Sequence, residues 1–159
     1  MDWMGVIIAI LGTYVLVALA ILVGGYVLTS IAHMKALKAL GYDNAWMAWI
    51  PFAQQYALAD VAAGNQETVM LFGSLSVPAM LYKFWWVLWL VLMCVPIVGS
   101  LASWAVMVVF RGNCYVKIYA RLDGTSEQEQ QVLGYLSGCF AIIAIVKFLA
   151  SNYSTKQKF

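Results

Sequence analysis

The sequence predicts an all-α fold: a polytopic integral membrane helical bundle of four to six hydrophobic helices, some short or broken by proline. Three observations carry that prediction. The 159 residues are 64% hydrophobic and 10% charged, against roughly 25% charged in a soluble domain. Too few polar side chains remain to cover a water-facing surface. Long uncharged runs recur, at 3–32 and 84–110, and Pro51, Pro78 and Pro96 interrupt the apolar stretches. Residues 1–159 read as one transmembrane domain, because no polar stretch is long enough to fold separately.

The first helix is predicted over residues 3–32. A helix of thirty residues is about 45 Å long, more than the roughly 30 Å hydrocarbon core. Asp2 precedes the run and no Lys or Arg does, so a permanent span fits better than a signal peptide. His33, Lys35 and Lys38 follow, and basic residues beside a span favour the cytoplasmic side. The N-terminus is therefore expected outside and residues 33–43 inside. Ile31, Met34, Leu37 and Leu40 continue a helical stripe. Gly41 suits a C-cap and Asp43 an N-cap.

Residues 44–64 are apolar, yet they hold Pro51, the amides Gln54 and Gln55, and the carboxylate of Asp60. A plain lipid-facing helix has no use for such groups. Gln54, Gln55 and Asp60 are candidates for a polar pathway, against the plainer expectation of interhelical hydrogen bonds and an Asp60 near the interface. Trp46 and Trp49, three apart, suit an interfacial aromatic belt, as do Trp85 and Trp86. Pro51 either kinks this helix or starts a new one.

The apolar segment 68–82 is too short to span as a straight helix. Residues 84–110 read in two ways. One is a single kinked span, with Lys83 and Arg111 as anchors at opposite interfaces. The other is a hairpin turning at residues 96–99, with Lys83 and Arg111 at the same interface. Gly112 to Leu122 places Tyr115, Ile118, Tyr119 and Leu122 on one helical face, which predicts an amphipathic cytoplasmic segment within 111–131. Ser126 followed by Glu129 matches a capping box. The last helix is then expected over 127–150, with Gly134 and Gly138 allowing close helix packing and Lys147 snorkelling near its end. The tail from Ser151 is polar, with Lys156 and Lys158.

The run Ala48-Trp-Ile-Pro-Phe52, with Tyr56, Leu58 and Ala63-Gly64, resembles a group of small, uncharacterised bacterial multi-pass membrane proteins with an AWIPxxNxY…AG stretch. In that group a tryptophan-rich segment and an IPxVN-like break follow, and here Phe84-Trp-Trp86 and Val95-Pro-Ile-Val-Gly99 correspond. Gln54 stands where the group has Asn, and Gly99 replaces the final Asn. The resemblance covers about residues 40–125. It implies a bacterial cytoplasmic membrane location and no activity.

The sequence holds little for catalysis. A metal site needs several convergent ligands, and His33 is the single histidine. Cys94, Cys114 and Cys139 are widely spaced and form no CxxC pair. No phosphate-binding glycine motif occurs, and a net charge of +2 is too small to argue for nucleic acid. No cofactor and no enzymatic role are expected. The expectation is a scaffold, accessory or immunity-type membrane subunit, acting through helix packing with a membrane protein partner or a second copy among membrane lipids. The alternative is a small transporter or channel-like protein.

Overall fold

The computed structural model describes residues 3–96, 98–151 and 153. They form seven α-helices, a 3-10 helix and a two-stranded hairpin. Helix α1 (Trp3–Ala39) is followed by a 3-10 helix (Ala45–Trp49), α2 (Pro51–Ala63), β1 (Thr68–Leu71) and β2 (Leu75–Pro78). Then come α3 (Ala79–Lys83), α4 (Trp85–Met93), α5 (Val98–Asp123), α6 (Glu127–Cys139) and α7 (Ala141–Ala150). The fold is mostly helical, and among the described residues α1 alone is long and apolar enough to cross a membrane. Apart from Ser151 and Tyr153, the polar tail lies outside the described residues.

Helix α1 has two parts. None of residues 3–29 is buried, whereas Ser30, Ala32, His33, Ala36 and Leu37 are. The helix stops at Gly41, whose φ of 74° suits glycine. The Tyr42 N–H donates to the Leu37 carbonyl (3.0 Å) and the Gly41 N–H to the Lys38 carbonyl (3.0 Å), the paired bonds of a Schellman cap. Asp43 is not the next N-cap. Asn44 holds that place and makes no side-chain capping bond.

Pro51 starts a helix rather than kinking one. It occupies the first turn of α2, where its missing N–H costs nothing, and Ile50 before it is extended. Gly64 ends α2 at a φ of 59°. The hairpin departs from the all-α expectation. Thr68 pairs with Pro78 and Leu71 with Leu75, antiparallel, around a turn with Phe72 and Gly73 at positive φ. Val69 and Leu71 face inward and Thr68 and Met70 outward. Strands of four residues are too short to stand out within a fifteen-residue apolar run. The one turn signal between them was Gly73.

The described residues of 84–110 are not one helix: the nine-residue α4 packs against the first half of α5, which at 26 residues is longer than a hairpin of two short helices would have. Trp85 of α4 stacks on Phe110 of α5 (6.2 Å, 10°). Two expectations for the C-terminal third are corrected. Residues 112–120 are all buried, so this stretch is no surface amphipathic segment. It is the second half of α5, with α6 lying against one side and α2 against another. The last helix is not continuous over 127–150. It breaks at Phe140, which is extended. No proline or glycine sits at that break. The cause is tertiary: α6 lies along α5, while α7 packs on α1.

The core forms two clusters, each with residues of α2 and α5. One cluster joins Leu37 of α1, Leu58 of α2, Tyr115, Ile118 and Tyr119 of α5, and Phe148 of α7. A second joins Ala62 of α2, Val69 and Leu71 of the hairpin, and Tyr82, Trp85 and Cys114. Ser126 caps α6, its side chain accepting from the Glu129 N–H (3.4 Å). Gly134 and Gly138 lie against α5. A Cβ at Gly134 would stand 2.3 Å from Val116 Cγ2, and one at Gly138 would stand 2.9 Å from the Gly112 backbone. The helices approach this closely because no side chain stands between them. Gly134→Leu or Gly138→Leu is therefore expected to lower stability by about 3 kcal/mol or more through overpacking. Thermal unfolding in detergent checks it, and unchanged melting temperatures would contradict the packing.

Candidate functional site

Three features gather the polar side chains of the chain. The first is a buried hydrogen-bonded line between α1 and α5. His33 Nδ1 lies 2.7 Å from the Thr29 carbonyl oxygen, which can only accept, so Nδ1 carries the proton. Nε2 then accepts from the Tyr115 hydroxyl at 2.8 Å. The Tyr115 oxygen in turn accepts from Arg111 Nε at 3.2 Å. Each group satisfies the next, which is the condition for burying polar atoms. Phe148 closes over the ring of His33 edge-on, at 5.6 Å. His33 is thus a structural core histidine rather than an interfacial one.

The second feature is the pairing of the other charges. Asp60 meets Lys83 at 2.6 Å and accepts from the Tyr42 hydroxyl at 2.9 Å. Burial, that hydrogen bond and the Asp60 charge hold the Tyr42 phenol above its ordinary range, so it remains a donor. Lys117 pairs with Glu127 (2.9 Å) and Lys147 with Asp123 (2.7 Å). Lys147 also lies over the Tyr119 ring, so it does not snorkel. Two cations close helix ends instead. Arg121 donates to the Val61 and Ala62 carbonyls at the end of α2, and Lys35 to the Leu149 and Ser151 carbonyls at the end of α7 (both 2.8 Å). Neither role was visible in the sequence.

The third feature is a cleft of ≈ 580 Å³ between α2, α4 and α5. Phe52, Trp86, Trp89, Leu90 and Met107 give it apolar walls, and Gln55, Trp85 and Arg111 bring polar groups to it. Buried atoms without a hydrogen-bond partner cluster here: Gln55 Oε1 and the indole nitrogens of Trp85 and Trp86. Trp85 is only 4% exposed. Such a volume lies within the roughly 300–1,000 Å³ of small-molecule sites.

The sequence candidates are distributed accordingly. Of the pathway residues, Gln55 borders the cleft, Gln54 is buried with its amide nitrogen unpartnered, and Asp60 sits outside, paired with Lys83. Of the expected anchors, Trp46 and Trp49 are exposed, while Trp85, Trp86 and Arg111 line the cleft. Lys83 holds Asp60 rather than reaching outward. Gly134 and Gly138 pack within the chain. Among the described residues no three His, Cys, Asp or Glu side chains are grouped to hold a metal ion.

Two substitutions separate the buried line from the surface pair. Tyr115→Phe leaves His33 Nε2 buried without a donor, a loss of about 1–3 kcal/mol. Asp60→Asn removes a pair that is a quarter exposed, a loss of about 0.2–1 kcal/mol. Denaturation of both variants in the same detergent checks the order, and a larger loss in Asp60→Asn would reverse it. In comparisons with known proteins no family model, no curated protein and no solved structure matches this chain.

Proposed function

We propose that the chain is a non-enzymatic membrane subunit that works by helix packing against a partner in the bilayer. The observation that carries this reading is the bare helix α1, whose residues 3–29 hold no buried position. The segment is apolar all round, as a membrane span is. Its hydroxyls turn inward on their own helix. Thr13 donates to the Ala9 carbonyl (2.8 Å) and Thr29 to the Gly25 carbonyl (2.7 Å), which leaves neither hydroxyl in need of water. In this reading α1 crosses a cytoplasmic membrane with its N-terminus outside, and the family resemblance suggests a bacterial one. The α4–α5 hairpin then enters the bilayer without crossing. Helix α4, nine residues long, measures about 14 Å, and Val87, Leu88 and Val91 remain exposed on it, as do Leu101 and Trp104 on α5. The chain thus inserts at two places.

A partner helix has access to α1 at Gly24 and Gly25, where an added Cβ would meet no atom within 4 Å. Gly134 and Gly138 are occupied by α5 and offer no such access. The transport reading stays second, because only Gln55 of its three residues borders the cleft.

Native mass spectrometry after mild-detergent extraction tests the proposal. A second protein, or a second copy, at fixed stoichiometry is expected. Gly24→Leu and Gly25→Leu are expected to abolish that association while changing the stability of the isolated chain by no more than about 0.5 kcal/mol. A lone monomer from native membranes would overturn the reading.

A further inference from the structure

We propose that the cleft between α2, α4 and α5 is a binding site for an anionic phospholipid, with one acyl chain along the tryptophan-lined wall and the phosphate on Arg111. The starting point is a difference among the partly or wholly buried cations of the bundle, Lys38 being exposed. Lys83, Lys117 and Lys147 each meet a carboxylate. Lys35 and Arg121 each meet two backbone carbonyls at helix ends. Arg111 reaches one phenol, through Nε and through the Tyr115 ring at 5.6 Å. Among the described residues no carboxylate pairs with it. A guanidinium cannot discharge itself by losing a proton, and a half-buried cation in apolar surroundings is costly without a counter-charge.

The surroundings specify the anion. Arg111 lies on the wall of a cleft that is otherwise mainly aromatic and aliphatic, with Phe52, Trp86, Trp89, Leu90 and Met107. Trp85, also on that wall, is almost wholly buried with its N–H unpartnered, and the Trp86 N–H is unpartnered as well. The site therefore offers donors and a fixed positive charge at an apolar slot. A free anion would leave the slot empty, and a neutral acyl chain would leave Arg111 uncompensated. A phospholipid with a net negative headgroup supplies both parts, and the planar guanidinium suits phosphate. The exposed apolar faces of α4 and α5 border the same cleft and give a bilayer lipid a route to it. The inference is independent of whether α1 binds a partner.

The test is lipid binding to the full-length chain in detergent, read by native mass spectrometry. The probes are phosphatidylglycerol and phosphatidylcholine with identical acyl chains, with inorganic phosphate as competitor. One phosphatidylglycerol per chain is expected, bound at least about tenfold more tightly than phosphatidylcholine, the factor that one hydrogen bond to a charged group supports. Arg111→Lys is expected to keep most of the preference and Arg111→Gln to lose it. Because Arg111→Gln also touches the Tyr115 line, Leu90→Trp provides a second route: it fills the slot, leaves that line in place, and is expected to abolish binding of both lipids. Equal binding of the two lipids by the unsubstituted chain would overturn the proposal. So would phosphatidylglycerol binding that survives in folded Leu90→Trp protein. Displacement of the lipid by millimolar inorganic phosphate would overturn it too, assigning the charge to a soluble anion.

Discussion

The Tyr115 hydroxyl is a buried atom that ties the long apolar helix α1 to the bundle. It gives its proton to His33 on α1 and accepts one from Arg111 on its own helix. The bond is buried, so neither partner has water as an alternative, and its loss would strand a polar atom on each side. The register of α1 follows from it. His33 faces α5 only if Ala32, Ala36 and Leu37 also face inward, and those are the residues of α1 found in the core. Phe148 of α7 packs against the same two rings, which brings the last helix to α1. The break at Phe140 is the consequence. One straight helix could not lie along α5 through its glycines and also cover His33.

Close backbone approach is the second constraint. Gly112 on α5 and Gly134 and Gly138 on α6 bring two helices into contact where any side chain would collide. Packing of this kind does not depend on expelling water, so it serves equally inside a bilayer. Alanines serve the same purpose elsewhere: Ala57, Ala59, Ala62 and Ala63 line the buried face of α2. The large side chains are left to fill the space around α5, where tyrosines carry hydroxyls that meet Asn113, Ser137 and His33. The interior is thus polar in detail while apolar in composition.

Most charges of the bundle are consumed by the fold. Lysines close carboxylates, and Arg121 and Lys35 close the carbonyl ends of α2 and α7, where the helix dipole favours a cation. Against that background the cleft stands apart, since its polar atoms have little to do within the chain. It lies beside the exposed apolar surface of α4 and α5.

Some of this was determined by the sequence alone. The apolar first helix, its stop at Gly41 and the cap at Ser126 are all local effects, and Pro51 was legible as either a kink or a helix start. Each depends on backbone geometry or hydropathy within a few residues, so each is legible without neighbours. That the described residues of 84–110 are not one helix was legible in one of two readings, and tertiary contact between Trp85 and Phe110 chose between them. The rest belonged to the tertiary structure. The stripe of Tyr115, Ile118 and Tyr119 looks the same whether a helix lies on a membrane surface or inside a core, because periodicity reports a face and not what covers it. Gln55, Trp85, Trp86 and Arg111 lie on three helices, up to fifty-six positions apart in the chain. Only folding brings them to one cleft, and only then does Arg111 emerge as a partly buried cation that meets neither a carboxylate nor a backbone carbonyl among the described residues.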